Sequence, residues 1–216
     1  MGELLLIRHG ETEWALSGRH TSFTDIPLTA HGEEEARAVA PLLAERRIAT
    51  VMSSPLRRAV RTAQLAGLTD VHVDPDLHEW NYGAYEGITT VEIHRTRPSW
   101  NLWTDGSPSS AEGGAGESPE QVGSRADRVL ARMASLLEGS ETGDGVLVAH
   151  GHFLRVLTAR WLGLPPSAGA LFALGTGTLS RLGTEHGRPV INAWNTAPQG
   201  RSAQALGSDA LIHHHS

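Results

Sequence analysis

Leu4-Leu5-Leu6-Ile7-Arg8-His9-Gly10-Glu11-Thr12 is the stretch on which the reading of this chain turns. Four apolar residues in a row, bounded by polar ones, predict a short strand buried on both faces, as in the middle of a parallel sheet. The strand is expected to end at His9, where Gly10 lets the backbone turn with no side chain in the way. Arg8 and His9 then stand at the carboxyl end of the strand, the edge where open α/β sheets bind ligands. One histidine in such a place is most often a hydrogen-bonded structural residue. The pattern repeats, however: Val146-Leu147-Val148-Ala149 is a second buried run, and it stops at His150-Gly151. Two strand-His-Gly junctions can bring two imidazoles together at one sheet edge.

The segments around these junctions read as alternating helices and strands. Trp14 to Pro27 lacks a period and is expected to be a loop. Thr29 can cap a helix reaching about Arg46, with Ala36, Val39, Ala40 and Leu43 inward and Pro41 kinking it or ending it early. Ile48 to Met52 predicts a strand. Ser53-Ser54-Pro55 then reads as a capping serine and an N-terminal proline for a helix from Pro55 to Ala66, closed by Gly67. Its first turn carries Arg57 and Arg58, of which one is expected to point outward, and a helix N-terminus at a sheet edge favours anions. Val71 to Val73 is a brief strand, and Thr89 to Trp103 a helix interrupted at Pro98. Asp105 to Glu117, rich in Gly, Ser and Pro, reads as a mobile loop. Ser118-Pro119-Glu120-Gln121 is a capping box for a helix to about Glu138. A helix from His152 to Leu162 follows the second junction, and Leu171–Leu174, Leu179–Leu182 and Val190–Ala193 are candidate closing strands.

At 216 residues the chain suits a single α/β domain, taken as residues 1–197. The remainder, 198–216, is a polar tail whose His213-His214-His215 resembles a purification-tag remnant. A net charge of −6 argues against non-specific binding to nucleic acid or an anionic membrane surface. No apolar run approaches the roughly 18 residues of a membrane span, and the start of the chain lacks a basic segment with a cleavage site, so a cytoplasmic location is expected. Cysteine is absent, which removes disulfides, thiolate catalysis and Cys-ligated zinc. All 18 basic residues are arginine, whose planar fork suits phosphate and carboxylate wherever several converge. The 12 histidines invite a metal-hydrolase reading, yet no HExxH spacing is present.

With these residues in hand, the sequence resembles the histidine phosphatase superfamily, in the branch that includes cofactor-dependent phosphoglycerate mutases. The resemblance runs from about Leu4 to Trp194 and rests on five motifs in order: Arg8-His9-Gly10-Glu11-Thr12, Ser53-Ser54-Pro55-Leu56-Arg57-Arg58-Ala59, Leu77-His78-Glu79-Trp80-Asn81-Tyr82-Gly83, Gly116-Glu117-Ser118 and Ala149-His150-Gly151. It implies a three-layer α/β/α sandwich on a mostly parallel central sheet. It also implies that His9 is a transiently phosphorylated nucleophile, that Arg8, Arg58 and His150 surround the phosphoryl group, and that Glu79 donates a proton. Thr21, Ser22, Tyr82 and His152 fall where the family contacts the rest of the substrate. Ala15 departs from the asparagine that many members carry beside the phosphate.

The expected activity is hydrolysis of small phosphorylated metabolites, such as sugar phosphates or phosphoglycerates, with no metal and no cofactor. The chemistry fits the residues: fixed cations hold the three oxygens of a phosphoryl group in flight, and neighbouring guanidinium groups keep His9 neutral for attack. A glutamate among aromatics can have a raised pKa, as a general acid requires, but from its neighbours alone Glu79 is expected to be an exposed loop carboxylate. The alternative is a phosphoglycerate mutase-type phosphotransferase. Trp80, where mutases usually show arginine, and a short Glu79–Glu117 segment favour the phosphatase branch. A silent phospho-ligand binder would be expected to lack His9, Arg58 or His150, and all three are present. The expected partner is a small phosphate ester, and a dimer is compatible with the sequence.

Overall fold

In a computed structural model, described for residues 2–110, 114–138 and 143–198, the buried run at the N-terminus forms β1 (Leu4–Arg8) at the middle of a six-stranded sheet. The other strands are β2 (Ile48–Ser53), β3 (Val71–Val73), β4 (Asp144–Ala149), β5 (Leu179–Glu185) and β6 (Arg188–Thr196), in the order β3-β2-β4-β1-β5-β6. The pairs β3·β2, β2·β4 and β4·β1 are parallel, while β1·β5 and β5·β6 are antiparallel.

Because side chains alternate across a strand, β1 sends Leu4 and Leu6 to one face and Leu5 and Ile7 to the other. The first face packs under α6 (Pro119–Glu138) and α7 (Gly151–Trp161), through Val122, Val129, Met133, Phe153 and Leu157. The second packs under α2 (Ala30–Leu43) and α3 (Arg57–Leu65), through Val39, Leu43, Ala59 and Ala63. The result is the expected three-layer sandwich. Short helices α1 (Glu13–Leu16), α4 (Thr90–Thr96) and α5 (Leu102–Asp105) lie in the connections.

Several local expectations change in the fold. The loop from Trp14 to Pro27 starts inside α1, which Thr12 caps. Pro41 lies inside α2, which stops at Leu43 rather than Arg46, since proline has no N–H for the helical ladder. Helix α3 begins at Arg57 with Leu56 as its cap residue, and Ser54 does not cap it. The expected strand Leu171–Leu174 is absent: a 3₁₀ helix spans Pro166–Leu171 and irregular chain follows. The capping box before α6 is present, with Gln121 N donating to Ser118 Oγ and Ser118 N to Gln121 Oε1. The Gly/Ser-rich segment folds back so that Ser107 N donates to Glu117 O and Ser110 N to Gly114 O; residues 111–113 lie outside the described residues, as does the tail from 199.

Candidate active site

The parallel pairing of β1 with β4 sets Arg8 opposite Ala149, so the two strand-His-Gly junctions leave the sheet side by side. His9 N donates to Ala149 O at 3.0 Å, and the His9 and His150 rings meet edge to face with centroids 5.1 Å apart. Gly10 is required by close approach: a Cβ there would stand 2.1 Å from Gly32 O, at the start of α2.

Hydrogen bonds fix the tautomer of both histidines. His9 Nδ1 lies 2.7 Å from Gly10 O, which can only accept, so the neutral ring carries its proton on Nδ1 and its lone pair on Nε2. Arg58 Nε donates to His150 Nδ1 at 3.2 Å, which places the His150 proton on Nε2, where it is donated to Ser54 Oγ at 2.8 Å. The serine expected to cap α3 is therefore spent on orienting His150. Burial, then the Arg58 guanidinium, hold both imidazoles well below their usual pKa; Arg8 adds to the effect on His9.

Of the two arginines at the start of α3, Arg57 points outward, its backbone N–H on Asp25, and Arg58 is 1% exposed. Arg58 donates to the carbonyls of Thr24 (3.0 Å), Ser22 (2.9 Å) and Thr21 (3.3 Å) besides His150. These are neutral acceptors, although Glu79, Asp25 and Glu86 act on it electrostatically. Burial lowers its pKa from the ordinary arginine value. Four such bonds among the described residues leave one of five guanidinium N–H groups for an incoming oxygen. Arg8 reaches across to the carbonyl of Leu174 through Nη1.

Glu79 is 6% exposed and sits on the N-terminus of α7. Its Oε1 accepts from Trp80 N and Phe153 N, each at 2.8 Å, and its Oε2 from His152 N at 3.0 Å. The sequence suggested an exposed loop carboxylate; the fold gives it backbone amides and the positive end of a helix. Tyr82 and His152 are joined, Oη to Nδ1, at 2.6 Å. Burial, then Glu79, push the Tyr82 phenol well above its usual pKa, and burial followed by Arg155 holds His152 well below its own, so the phenol donates to a neutral ring.

Thr21 and Ser22 join the site through their carbonyls. The Thr21 hydroxyl donates to Arg19 O, and the Ser22 N–H and hydroxyl are held by the Glu86 carboxylate, which also accepts from Thr24 N. Ser54 is expected as a helix cap and has another role here, while Glu86 and His20 carry no role in the sequence reading. His20 packs 4.6 Å from the Tyr82 ring, its Nδ1 on Ile88 O. Ser54 stands inside the motif from Ser53 to Ala59, Glu86 lies three residues past Gly83, and His20 gives no signal.

A cavity of about 180 Å³ opens beside Glu79, bordered by Phe23, His78, Asn81, Glu117 and Arg125. A larger groove, about 430 Å³, lies along β3 and contains none of these histidines. Among the described residues no group of three or more His, Asp or Glu side chains is placed to hold a metal ion, and no helix is long and apolar enough to cross a membrane.

The family model of the histidine phosphatase superfamily (branch 1) matches residues 4–197. The chain is 44% identical over 186 residues to an acid phosphatase of Mycobacterium tuberculosis, covering 85% of this chain and 87% of that protein. It is 36% identical over 188 residues to a sedoheptulose 1,7-bisphosphatase of Saccharomyces cerevisiae, covering 74% and 67%. A probable phosphoglycerate mutase of Yersinia enterocolitica is 32% identical over 207 residues, 94% of each chain. A solved structure of an open reading frame from Mycobacterium tuberculosis superposes with a TM-score of 0.83 at 40% identity, over 91% of this chain and 98% of that one.

Proposed function

Since the chain belongs to the histidine phosphatase superfamily and is a phosphatase of that type, we propose that it hydrolyses small phosphate monoesters through a phosphohistidine on His9, without a metal ion. The observation that carries this reading is the His9 tautomer: Gly10 O takes the Nδ1 proton, and the Nε2 lone pair is left at the edge shared with Arg58 and His150.

In the proposed reaction Arg8 and Arg58 hold the phosphoryl oxygens, His150 joins them by turning its Nε2–H from Ser54 Oγ to a phosphoryl oxygen, and His9 Nε2 attacks phosphorus in line. The P–N bond forms as the P–O bond to the leaving group breaks, and the spread negative charge meets the Arg58 guanidinium, which its carbonyl partners already hold in place. Glu79, carrying a proton on Oε2, the oxygen that accepts one N–H against two on Oε1, gives that proton to the departing alkoxide. It then takes one from the water that attacks phosphorus, the P–N bond breaks, and inorganic phosphate leaves with His9 restored. Tyr82 and His152 border the leaving-group side next to Glu79 and are proposed to contact the rest of the substrate, with the 21–22 segment closing over the phosphate.

The proposed substrates are of the sugar phosphate or phosphoglycerate class. The mutase reading is separated by one assay: with 3-phosphoglycerate and catalytic 2,3-bisphosphoglycerate, free phosphate is expected to outrun 2-phosphoglycerate.

The deciding experiment is a rapid quench with labelled substrate. Acid-labile, base-stable label on the wild-type protein and none on His9→Ala is expected, with phosphate release in the variant down by at least about a thousandfold. Label on serine, or turnover that survives in His9→Ala, refutes the nucleophile. Turnover in EDTA should match turnover without it, and vanadate should inhibit.

A further inference from the structure

The Gly116-Glu117-Ser118 motif has no part in the chemistry above, although it lies beside Glu79. We infer that Glu117 and Arg125 are positioning residues that hold the Glu79 carboxyl in place for proton transfer, an inference that rests on the reading of Glu79 as the proton donor.

Arg125 enters from α6 and is largely buried. All five of its N–H groups are used: Nη1 donates to the carbonyls of Asp76 (2.7 Å) and His78 (2.6 Å), and Nη2 to that of Glu79 (3.2 Å). Nε and Nη2 also form a fork on the Glu117 carboxylate, at 3.0 and 2.8 Å. Its guanidinium carbon lies 4.7 Å over the centre of the Phe153 ring. Arg125 thus touches both the backbone from which Glu79 springs and the residue whose N–H grips Glu79 Oε1.

Glu117 completes the clamp from the other side. Its Oε2 accepts from Asn81 N at 2.8 Å, its carbonyl from Trp80 Nε1 at 3.0 Å, and its N–H donates to Asn81 O at 3.0 Å. The chain on both sides of Glu79 is therefore tied to one partly buried ion pair. A carboxylate aimed by a peptide segment is only as well placed as that segment, and a misplacement of about 1 Å can cost on the order of a hundredfold in rate. The charge of Arg125 is cancelled by Glu117, so it does not act as a phosphate ligand.

The test compares an alkyl phosphate, which needs its leaving group protonated, with p-nitrophenyl phosphate, which does not. Glu79→Gln should lower kcat on the alkyl ester about a hundredfold and on the aryl ester less than about fivefold. Glu117→Gln should lower the alkyl rate about tenfold and the aryl rate less than about twofold. In the Glu79→Gln background, Glu117→Gln should change neither rate by more than about twofold, because the group it positions is gone. Should Glu117→Gln fail to give a cooperative melt, Arg125→Lys takes its place: it keeps the charge but cannot span three carbonyls. Equal losses on both esters, additive losses in the double variant, or no loss in either single variant would overturn the inference. A Glu79→Gln variant that slows both esters alike would instead remove the proton-donor reading and the inference with it.

Discussion

The two ends of the parallel strands use the same residue type for opposite ends. At the amino edge Arg46 pairs with Asp144 (2.7 Å) and with Glu3, and Arg181 meets Glu3 at 3.2 Å. Asn192 Nδ2 donates to Glu3 as well, at 2.6 Å. Burial works against the charges of Glu3 and Arg46, but their hydrogen bonds and mutual attraction prevail, so the pKa of Glu3 is lowered and that of Arg46 raised. At the carboxyl edge Arg58 has carbonyls and an imidazole as its partners, and the histidines beside it are neutral. Charge is cancelled at the amino edge and held in reserve around Arg58 at the other. What makes an anion site is the kind of acceptor an arginine already has, and an arginine given carboxylates becomes a fastener.

The comparison is broken most directly by removing one arginine from each edge. Arg58→Met should lower kcat/KM by roughly two to three orders of magnitude, as loss of a fixed transition-state donor does, and should weaken vanadate inhibition with it. Arg46→Met should leave turnover within about twofold and lower stability by roughly 1–2 kcal/mol, read from urea unfolding. Comparable activity losses in both variants would mean that the two edges do not differ in the way described.

Acid should next separate the neutral histidines of the site from the ion pairs outside it. His9, His150 and His152 have folded pKa values below the ordinary 6.5, so the unfolded chain binds protons that the native site refuses. Their contribution is complete above about pH 6.5 and is lost as pH falls below that value. Asp76, hydrogen-bonded first by Arg128 and also by Arg132, is lowered from 3.8 to about 2, and its contribution is lost only between those values. The melting temperature should therefore start to fall between pH 6.5 and 5, well above the acid limb owed to the ion pairs. A flat melting curve down to pH 4 would contradict the neutral, buried site.

The smallest effect tests how Arg58 is held. The Glu86 carboxylate fixes the N–H groups of Ser22 and Thr24 while Arg58 takes the carbonyls of the same residues. Glu86→Gln should raise KM several-fold, on the order of 1 kcal/mol of lost positioning, with kcat less affected. Glu86→Asp should recover part of it, and a change in kcat alone would count against this role.

Much of this architecture was legible in the chain itself. Apolar runs of strand length, each ending in His-Gly, specify buried parallel strands because such strands have no polar face, and the five ordered motifs carry the family. The failures were local ones. A serine before a proline reads as a helix cap, yet Ser54 is turned to His150, 96 residues away. A glutamate in such a segment reads from its neighbours as an exposed loop carboxylate, yet Glu79 is buried and held by α7, more than 70 residues on.

By itself, then, the sequence determined which residues the sheet edge would carry, because strand periodicity and the short reach of a His-Gly turn are properties of neighbouring residues. The tertiary structure alone decided what each of them does there: that Arg58 rather than Arg46 keeps its charge for a ligand, that His9 presents Nε2, and that Ser22 offers its carbonyl instead of its hydroxyl. Those outcomes depend on which acceptor arrives from a distant segment, and hydrogen bonds formed on packing have no counterpart in local sequence order.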